Sequence, residues 1–523
     1  LYLPKKVIEH LFDKITQTPS QKAFETALLQ DGCCQLKGLV GSGLSFKLVS
    51  AFKNLDRTFL MVLENAEQAA YHLNDLEQLL SPREVLYFPA SYREAYNPEA
   101  TDNANVLLRS EVLKKLSYSK KKKIIVTYPQ ALFEKVISQH TLKRKTLTVK
   151  TGDVVGLDFI NETLFEYGFD RVNFVTQPGE FSVRGGIIDV FSFAHQHPYR
   201  LEFFDEEIES LRSFDVNTQL SISPLDQIDL LPNTSKVSFT EKRKSLIDSL
   251  PQKSTVVFNQ LDLSLDQIEK LGAKATKQFE SLETTVQYPP EVLFLNQQEL
   301  LESLANKSTV LINHSDHLKT QERISIKQSP QPPINKQFDR LIKILKDNHT
   351  SGFDNYIFCS SEVQRKRFNE IFEEMETKVH FKTEVCPLFE GFEDIEARIA
   401  CFTDHQIFER YHKYRLRSAA TNREVLTLKE LTHLKIGDFI THIDHGIGKF
   451  GGLQKIDVDG VKQEAIKLSY GEGDILYLSI HSLHKITKFN GKDGHLPKLH
   501  KLGSKAWRAL KQKTKTGVKA IAF

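Results

Sequence analysis

Residues 38–45 read GLVGSGLS. Gly38, Gly43 and Ser45 stand at the spacing of a phosphate-binding loop. In such a loop glycine N–H groups cradle phosphates, a lysine reaches the terminal phosphates, and a Ser or Thr hydroxyl holds Mg²⁺. Leu44 occupies the lysine's position, and a leucine cannot offset phosphate charge. Two readings stay open: a nucleotide-binding fold that no longer hydrolyses nucleotide, or a Gly-rich turn between a strand and a helix. Both predict strand, turn and helix in that order.

The flanking text has the same α/β texture. Residues 57–63 (RTFLMVL), 85–88 and 123–127 (KIIVT) are short apolar runs separated by helical patterns. Runs of this kind predict a parallel sheet covered on both faces. From 146 to 231 the period changes to two: 181–183, 186–191, 199–204 and 207–214 read as antiparallel strands, with Gly185-Gly186 and Asp205-Glu206 at turns. Residues 232–328 return to α/β, with strands expected near 255–259, 292–296 and 309–313. The stretch 326–333 (IKQSPQPP) reads as a linker. A small α/β unit follows at 334–420, a tether at 421–433, and a Gly-rich antiparallel module at 434–489 whose spacing suits a strongly bent barrel. The fold class is thus multidomain α/β: a parallel-sheet domain in two halves (1–145 and 232–328) around a β-rich insert, a small α/β domain, a small barrel, and a basic helix over 498–523.

The chain has 523 residues, 40% hydrophobic and 26% charged, with a formal net charge of +3. The length implies roughly three or four domains. The charge excludes a polycation, so any nucleic-acid contact must come from local patches. Lys120–Lys123 is one basic run, read as a solvated helix end. Residues 495–523 are another, with seven Lys, one Arg and no acid. Trp507, Leu510, Thr514, Val518 and Ile521 give that segment an apolar face, so a docked helix is preferred to a nucleic-acid stripe. The five cysteines (Cys33, Cys34, Cys359, Cys386, Cys401) lack metal spacing and fit a reducing cytosol. The adjacent Cys33 and Cys34 are either redox-active or, the preferred reading, core. His442, Asp444 and His445 could suggest a metal site, but the strand splits them between faces, and a polar turn is preferred. No apolar run approaches the ~18–20 residues that span a bilayer, so a cytoplasmic protein without membrane partners is expected. The chain begins at Leu1 and stops at Phe523 inside a helical pattern; both ends read as cuts within a longer polypeptide.

Residues 177–191 (QPGEFSVRGGIIDVF), then 199–204 (YRLEFF) and 207–214 (EIESLRSF), resemble the β-insert shared by the excision-repair protein UvrB and the transcription-repair coupling factor (Mfd) family. The loop at 38–45 falls where UvrB has an intact one, and loss of its lysine resembles the coupling factors. Residues 437–453 (GDFITHIDHGIGKFGGL) and 464–486 (EAIKLSYGEGDILYLSIHSLHKI) resemble that family's polymerase-interacting domain, related to CarD-type regulators. The resemblance implies that the insert docks onto UvrA through Arg184, Arg200 and Phe204. It implies that a Tudor-like barrel binds the RNA polymerase β subunit near Lys455 and Ile456. Arg200 and Phe204 stand four apart in one strand and so share a face; Phe204 could instead be core, as could Ile456. Residues 92–100 faintly echo UvrB's DNA-clamping hairpin but are too short to form it.

By the same resemblance the chain is the N-terminal part of a coupling factor. It would have no catalytic residue, metal or cofactor of its own, with Gly38, Gly43, Leu44 and Ser45 an inactive loop. ATP binding and DNA translocation would lie in a motor beyond residue 523, and DNA would be met through the full-length protein. Two alternatives are a UvrB-type DNA-processing protein with residual nucleotide binding, and a CarD-like transcription regulator on an α/β scaffold.

Overall fold

Seven strands line up in parallel, in the order Glu322–Ser325, Cys33–Lys37, Ser308–Leu311, Ser254–Phe258, Thr58–Val62, Ile124–Thr127, Val85–Tyr87. This computed structural model describes residues 6–92, 95–96, 101–216, 218–233, 243–282, 288–375, 379–410, 434–442, 445–458, 461–479, 486–489, 499 and 501–502. Every residue of Thr58–Val62, Ile124–Thr127, Ser254–Phe258 and Ser308–Leu311 is buried. That two-sided burial is what continuous apolar runs require. Three of the intervening helices start at side-chain caps that satisfy free N–H groups. Asn65 accepts from Gln68 N, Asp102 from Ala104 N and Asn105 N, and Asn296 forms a capping box with Glu299.

The chain divides into two units, 1–145 with 238–418, and 146–237 with 419–523. In the first, a five-stranded sheet accompanies the parallel one, in the order Gln328–Pro330, Phe392–Asp394, Ile399–Thr403, Asp354–Cys359, Lys382–Val385. The Pro-rich stretch expected to be a linker therefore supplies an edge strand: Gln328–Pro330 pairs antiparallel with Phe392–Asp394. Proline is tolerated there because an edge has N–H groups with no ladder to join. Residues 292–296, expected as a strand, instead begin inside the short helix Pro290–Leu293, which has Pro290 in its first turn, and Phe294 makes an isolated bridge to Glu134. The fixed φ of proline suits a helix start, and this overrides the apolar run.

The two sheets of this unit share a core. Phe46, fully buried, lies 5.4 Å from Phe12, 6.3 Å from Phe358 and 5.5 Å from Phe392, centroid to centroid. The neighbouring Lys47 is equally buried. Its Nζ donates to Thr18 Oγ1 (3.1 Å) and Ser20 Oγ (3.0 Å) and lies 4.0 Å from Asp394. The run Lys120–Lys123 serves local structure: Lys122 Nζ donates to the carbonyls of Phe52 (2.5 Å) and Leu55 (2.9 Å), closing the C-terminus of the helix Gly43–Asn54. All five cysteines are free. Burial pushes the Cys34 thiol up to about 12, so the adjacent pair behaves as core rather than as a reactive dithiol.

In the second unit, six strands run in the order Ser221–Pro224, Glu207–Phe214, Tyr199–Phe204, Ile187–Val190, Glu180–Arg184, Asp170–Arg171. Gly185 (φ 60°) and Asp205 (φ 56°) make the two tight turns. A separate five-stranded antiparallel sheet runs Ile475–Ser479, Val461–Ser469, Gly446–Val458, Phe439–His442, Ile486–Lys488. Its core is Ile440, Phe450, Ile466, Leu468, Tyr470, Leu478 and Ile486, joined by Phe174 from the insert. The tether expected at 421–433 lies outside the described residues, as does all but residues 499, 501 and 502 of the basic helix expected over 498–523. Among the described residues no helix is long and apolar enough to cross a membrane.

Gly38 has φ 92°, and a Cβ there would sit 2.2 Å from the carbonyl oxygen of Ile326. Gly38→Ala should therefore destabilise the first unit by at least ~1–3 kcal/mol, read as a lowered urea midpoint with an unchanged m-value. An unshifted midpoint would mean that the close approach is not maintained.

Candidate functional site

On the six-stranded sheet, cross-strand partners lie on a common face and alternate residues of one strand return to it. Arg184 pairs with Ile187, which pairs with Glu202; Asp189 pairs with Arg200, which pairs with Arg212. Phe204 follows Glu202 by two. Arg184, Arg200 and Phe204 thus share one face, while Phe181, Ile188, Val190, Tyr199 and Leu201 fill the buried opposite face. Phe204 is 74% exposed, so the core reading of that residue fails. Its neighbour Phe203 is half-buried and pairs with the buried Ile208.

The arginines are held by the protein itself. Arg200 Nε and Nη2 donate to the two carboxylate oxygens of Asp189 at 2.6 and 2.9 Å, and Arg184 Nη2 donates to the same carboxylate at 2.5 Å. Asp189 is buried, whereas the Arg184 side chain is 41% exposed and that of Arg200 18%. One buried carboxylate between two guanidiniums leaves a net positive charge and fixes both forks. Arg200 also stacks over Phe214 (4.8 Å) and Arg184 over Phe174 (5.1 Å). Arg212 pairs with Glu202 alongside. Asp189 escaped sequence reasoning. Its signal was a lone acid inside the apolar run Ile187–Val190, beside strands that each carry an arginine.

The loop 38–45 joins the strand Cys33–Lys37 to the helix Gly43–Asn54, as expected. Gly38, Gly43 and Ser45 come together with Leu44, which is buried. Ser45 Oγ lies 3.0 Å from His72 Nδ1. Val40 N donates to Gln328 Oε1 (3.2 Å) and Ser42 N to the carbonyl of Glu390 (3.2 Å). Asp75 accepts from Phe389 N at 2.7 Å. Burial pushes the Asp75 carboxyl up to about 7 against the hydroxyls of Ser42 and Ser45 and the Phe389 N–H, and pushes His72 down to about 4.

Lys455 and Ile456 lie in the strand Gly446–Val458, opposite Glu464 and Gln463; their side chains lie outside the described residues. Phe439–His442 pairs only with 446–449 on that strand. Residues 453–458 are therefore paired on one side, to 461–466, and their other backbone edge meets no strand among the described residues. His442 is buried, with its ring 4.6 Å from that of His445, and accepts from His445 N at 3.3 Å. Asp444 lies outside the described residues. Among the described residues no group of three His, Cys, Asp or Glu side chains is placed to hold a metal ion.

The UvrB interaction domain family matches residues 147–235, the region of the Asp189 face. The CarD-like/TRCF RID domain family matches residues 434–490. The transcription-repair-coupling factor of Bacillus subtilis (strain 168) is 22% identical over 93% of this chain and 48% of its own length. This chain is related to the transcription-repair-coupling factors. That of Haemophilus influenzae is 24% identical over 93% of this chain and 48% of its own length. That of Escherichia coli (strain K12) is 25% identical over 76% of this chain and 40% of its own. The chain spans about half the length of the coupling factors it matches most fully. The likeness covers the α/β regions as well as the two matched modules.

Removing Asp189 leaves Arg200 without its counter-ion in a mostly buried position. Asp189→Ala should cost ~3–5 kcal/mol in urea unfolding of the second unit; a cost below ~1 kcal/mol would show that water replaces the carboxylate. Asp75 supplies a pH signature. Its folded-state pKa stands above the unfolded value of 3.8, so its contribution is fully present below that value and is lost as pH rises toward about 7. Relative to the parent, Asp75→Asn should gain stability with rising pH across that window, by at most ~1.4 kcal/mol per pH unit. His72, shared by both proteins, cancels in the difference as long as its own titration is unchanged; a flat difference would mean that Asp75 is ionised in the fold.

Proposed function

We propose that this chain is an adaptor in transcription-coupled DNA repair. The insert at 146–231 captures UvrA, and the module at 434–489 holds the β subunit of RNA polymerase. The observation that carries the reading is the shared face of Arg184, Arg200 and Phe204, in the stretch that matches the UvrB interaction domain. An exposed aromatic beside two oriented guanidiniums is what a protein-docking patch needs: a large rigid apolar contact and bidentate donors for partner carboxylates. Asp189 holds the donors in place before the partner arrives, which lowers the ordering cost of binding.

For polymerase, the unpaired backbone edge of 453–458 supports recognition by strand addition, in which main-chain hydrogen bonds give affinity and neighbouring side chains, here Lys455 and Ile456, give specificity. Phe174 packs with the core of this module while Arg184 stacks on it, so the two docking elements meet at one residue. ATP-driven translocation and DNA contact are assigned to the part of the relatives' length that this chain does not match. The chain itself is read as non-enzymatic and free of cofactor. The filled surroundings of the loop 38–45 support this over residual nucleotide processing.

Phe204→Ala is the cleanest test, because the side chain is exposed and its removal leaves no buried charge. It should weaken UvrA binding at least ~tenfold, a hot-spot loss of ~1.4 kcal/mol or more, in surface plasmon resonance, with the urea midpoint and the affinity for the polymerase β subunit unchanged. Ile456→Glu should give the reciprocal pattern. Unaltered UvrA affinity in both Phe204→Ala and Arg184→Ala would overturn the assignment of this face.

A further inference from the structure

The loop 38–45 is closed by the chain itself, through residues 387–391 of the five-stranded-sheet domain. Ser42, at the N-cap of the helix Gly43–Asn54, makes no side-chain cap to its own helix. Its N–H instead donates to the Glu390 carbonyl at 3.2 Å, and its Oγ accepts from Glu390 N at 3.0 Å. A Cβ on Gly41 would lie 2.8 Å from Glu390 Cβ and 3.2 Å from its Oε2, so the Glu390 side chain crosses directly over the glycine. The free N–H groups and dipole of a helix start attract negative charge, and here the acceptor and the anion both come from Glu390.

The flanks of this segment are fixed independently. The Phe389 ring stacks on Tyr71 at 4.2 Å with 16° between planes. Phe389 N donates to Asp75 (2.7 Å), and Asn74 Nδ2 donates to the Pro387 carbonyl (2.6 Å). Behind the loop, Gln328 Oε1 accepts from Val40 N, and Gln328 Nε2 donates to Asp394 at 2.9 Å. The hydroxyl of Ser45, which would hold Mg²⁺ in an intact loop, is spent on His72. Three of the backbone donors that a phosphate would engage, Val40 N, Ser42 N and Gly43 N, thus already have a protein acceptor.

We infer that residues 387–391 act as a built-in stand-in for phosphate, and that this occupancy closes the pocket whether or not a lysine stands at position 44. The five-stranded-sheet domain thereby has a role of its own: it turns a ligand cradle into a fixed joint between two sheets. The inference does not rest on the adaptor reading, and neither UvrA nor polymerase enters its test.

Leu44→Lys in the full chain restores the missing residue and leaves the segment in place. Titration with a fluorescent ATP analogue and Mg²⁺ should show no saturable binding up to millimolar nucleotide. Saturable binding that disappears on adding Ser45→Ala would overturn the inference. Because a lysine at this buried position could prevent folding, a second arm uses hydrogen exchange of the parent and of Phe389→Ala, without nucleotide. Exchange in peptides spanning 38–46 and 386–392 should accelerate together, by ~tenfold or more. Acceleration confined to 386–392 would show that the loop is ordered without its cover, and would equally overturn the inference.

Discussion

The parallel sheet constrains everything else in this chain. Its middle strand, Ser254–Phe258, lies between Thr58–Val62 and Ser308–Leu311. A parallel neighbour can be reached only by a crossover, and this one is long: after Ile124–Thr127 the chain builds the whole insert before it returns. The core of the first unit is therefore assembled from segments more than a hundred residues apart, as Thr58 and Ser254 in register show. Such pairing must meet a large loop-closure cost before its contacts compensate. The insert is an excursion from a sheet that stays incomplete until residues 254–258 and 308–311 arrive.

Both candidate regions follow one physical logic, in which a polar group inside the protein decides what is presented outside. On the insert, Asp189 uses its two oxygens to hold Arg184 and Arg200, and the exposed guanidinium surface is what remains of a neutralised pair plus one charge. At the loop 38–45, Glu390 and Gln328 take the N–H groups of Ser42 and Val40, and Glu390 N donates back to the Ser42 hydroxyl. The first arrangement leaves guanidinium surface exposed; the second ties up donors of the loop within the protein. The difference lies in whether the satisfying group sits between the donors on their own face of the sheet or comes from a separate segment laid over the loop.

The fold was legible in the sequence where local pattern and tertiary context agree. Tyr199–Phe204 and Glu207–Phe214 appear with the expected bounds, because alternation, Asp205 at φ 56° and one-sided burial all demand the same hairpin. Most of the parallel sheet was equally visible, since strands such as Thr58–Val62, Ile124–Thr127 and Ser254–Phe258 are short, largely apolar runs; its polar edge strand Glu322–Ser325 was not. Legibility failed where distant partners decide. Residues 328–330 look like a tether, and only Phe392–Asp394 makes them a strand. The apolar run at 292–296 looks like a strand, and Pro290 starts a helix instead. For the site, the common face of Arg200 and Phe204 follows from their spacing, but the tie to Asp189 depends on register between strands. Residues 387–391 carry no motif at all. The missing lysine at position 44 was conspicuous, and it drew attention from the filled surroundings of the loop, which no local text encodes.

The insert opens and closes through a single doorway. Leu147–Lys150 pairs antiparallel with Gln227–Leu230, and Leu147 is the register partner of Leu230. Entry and exit are zipped side by side, so the stretch leaves and rejoins the rest of the chain at neighbouring residues, like the two ends of one hairpin. A segment built this way behaves as a portable cassette: its own core forms within the closure, and a recipient need supply only two adjacent chain ends. That gives a physical reason why such a stretch can be carried as a unit by chains whose remaining parts differ.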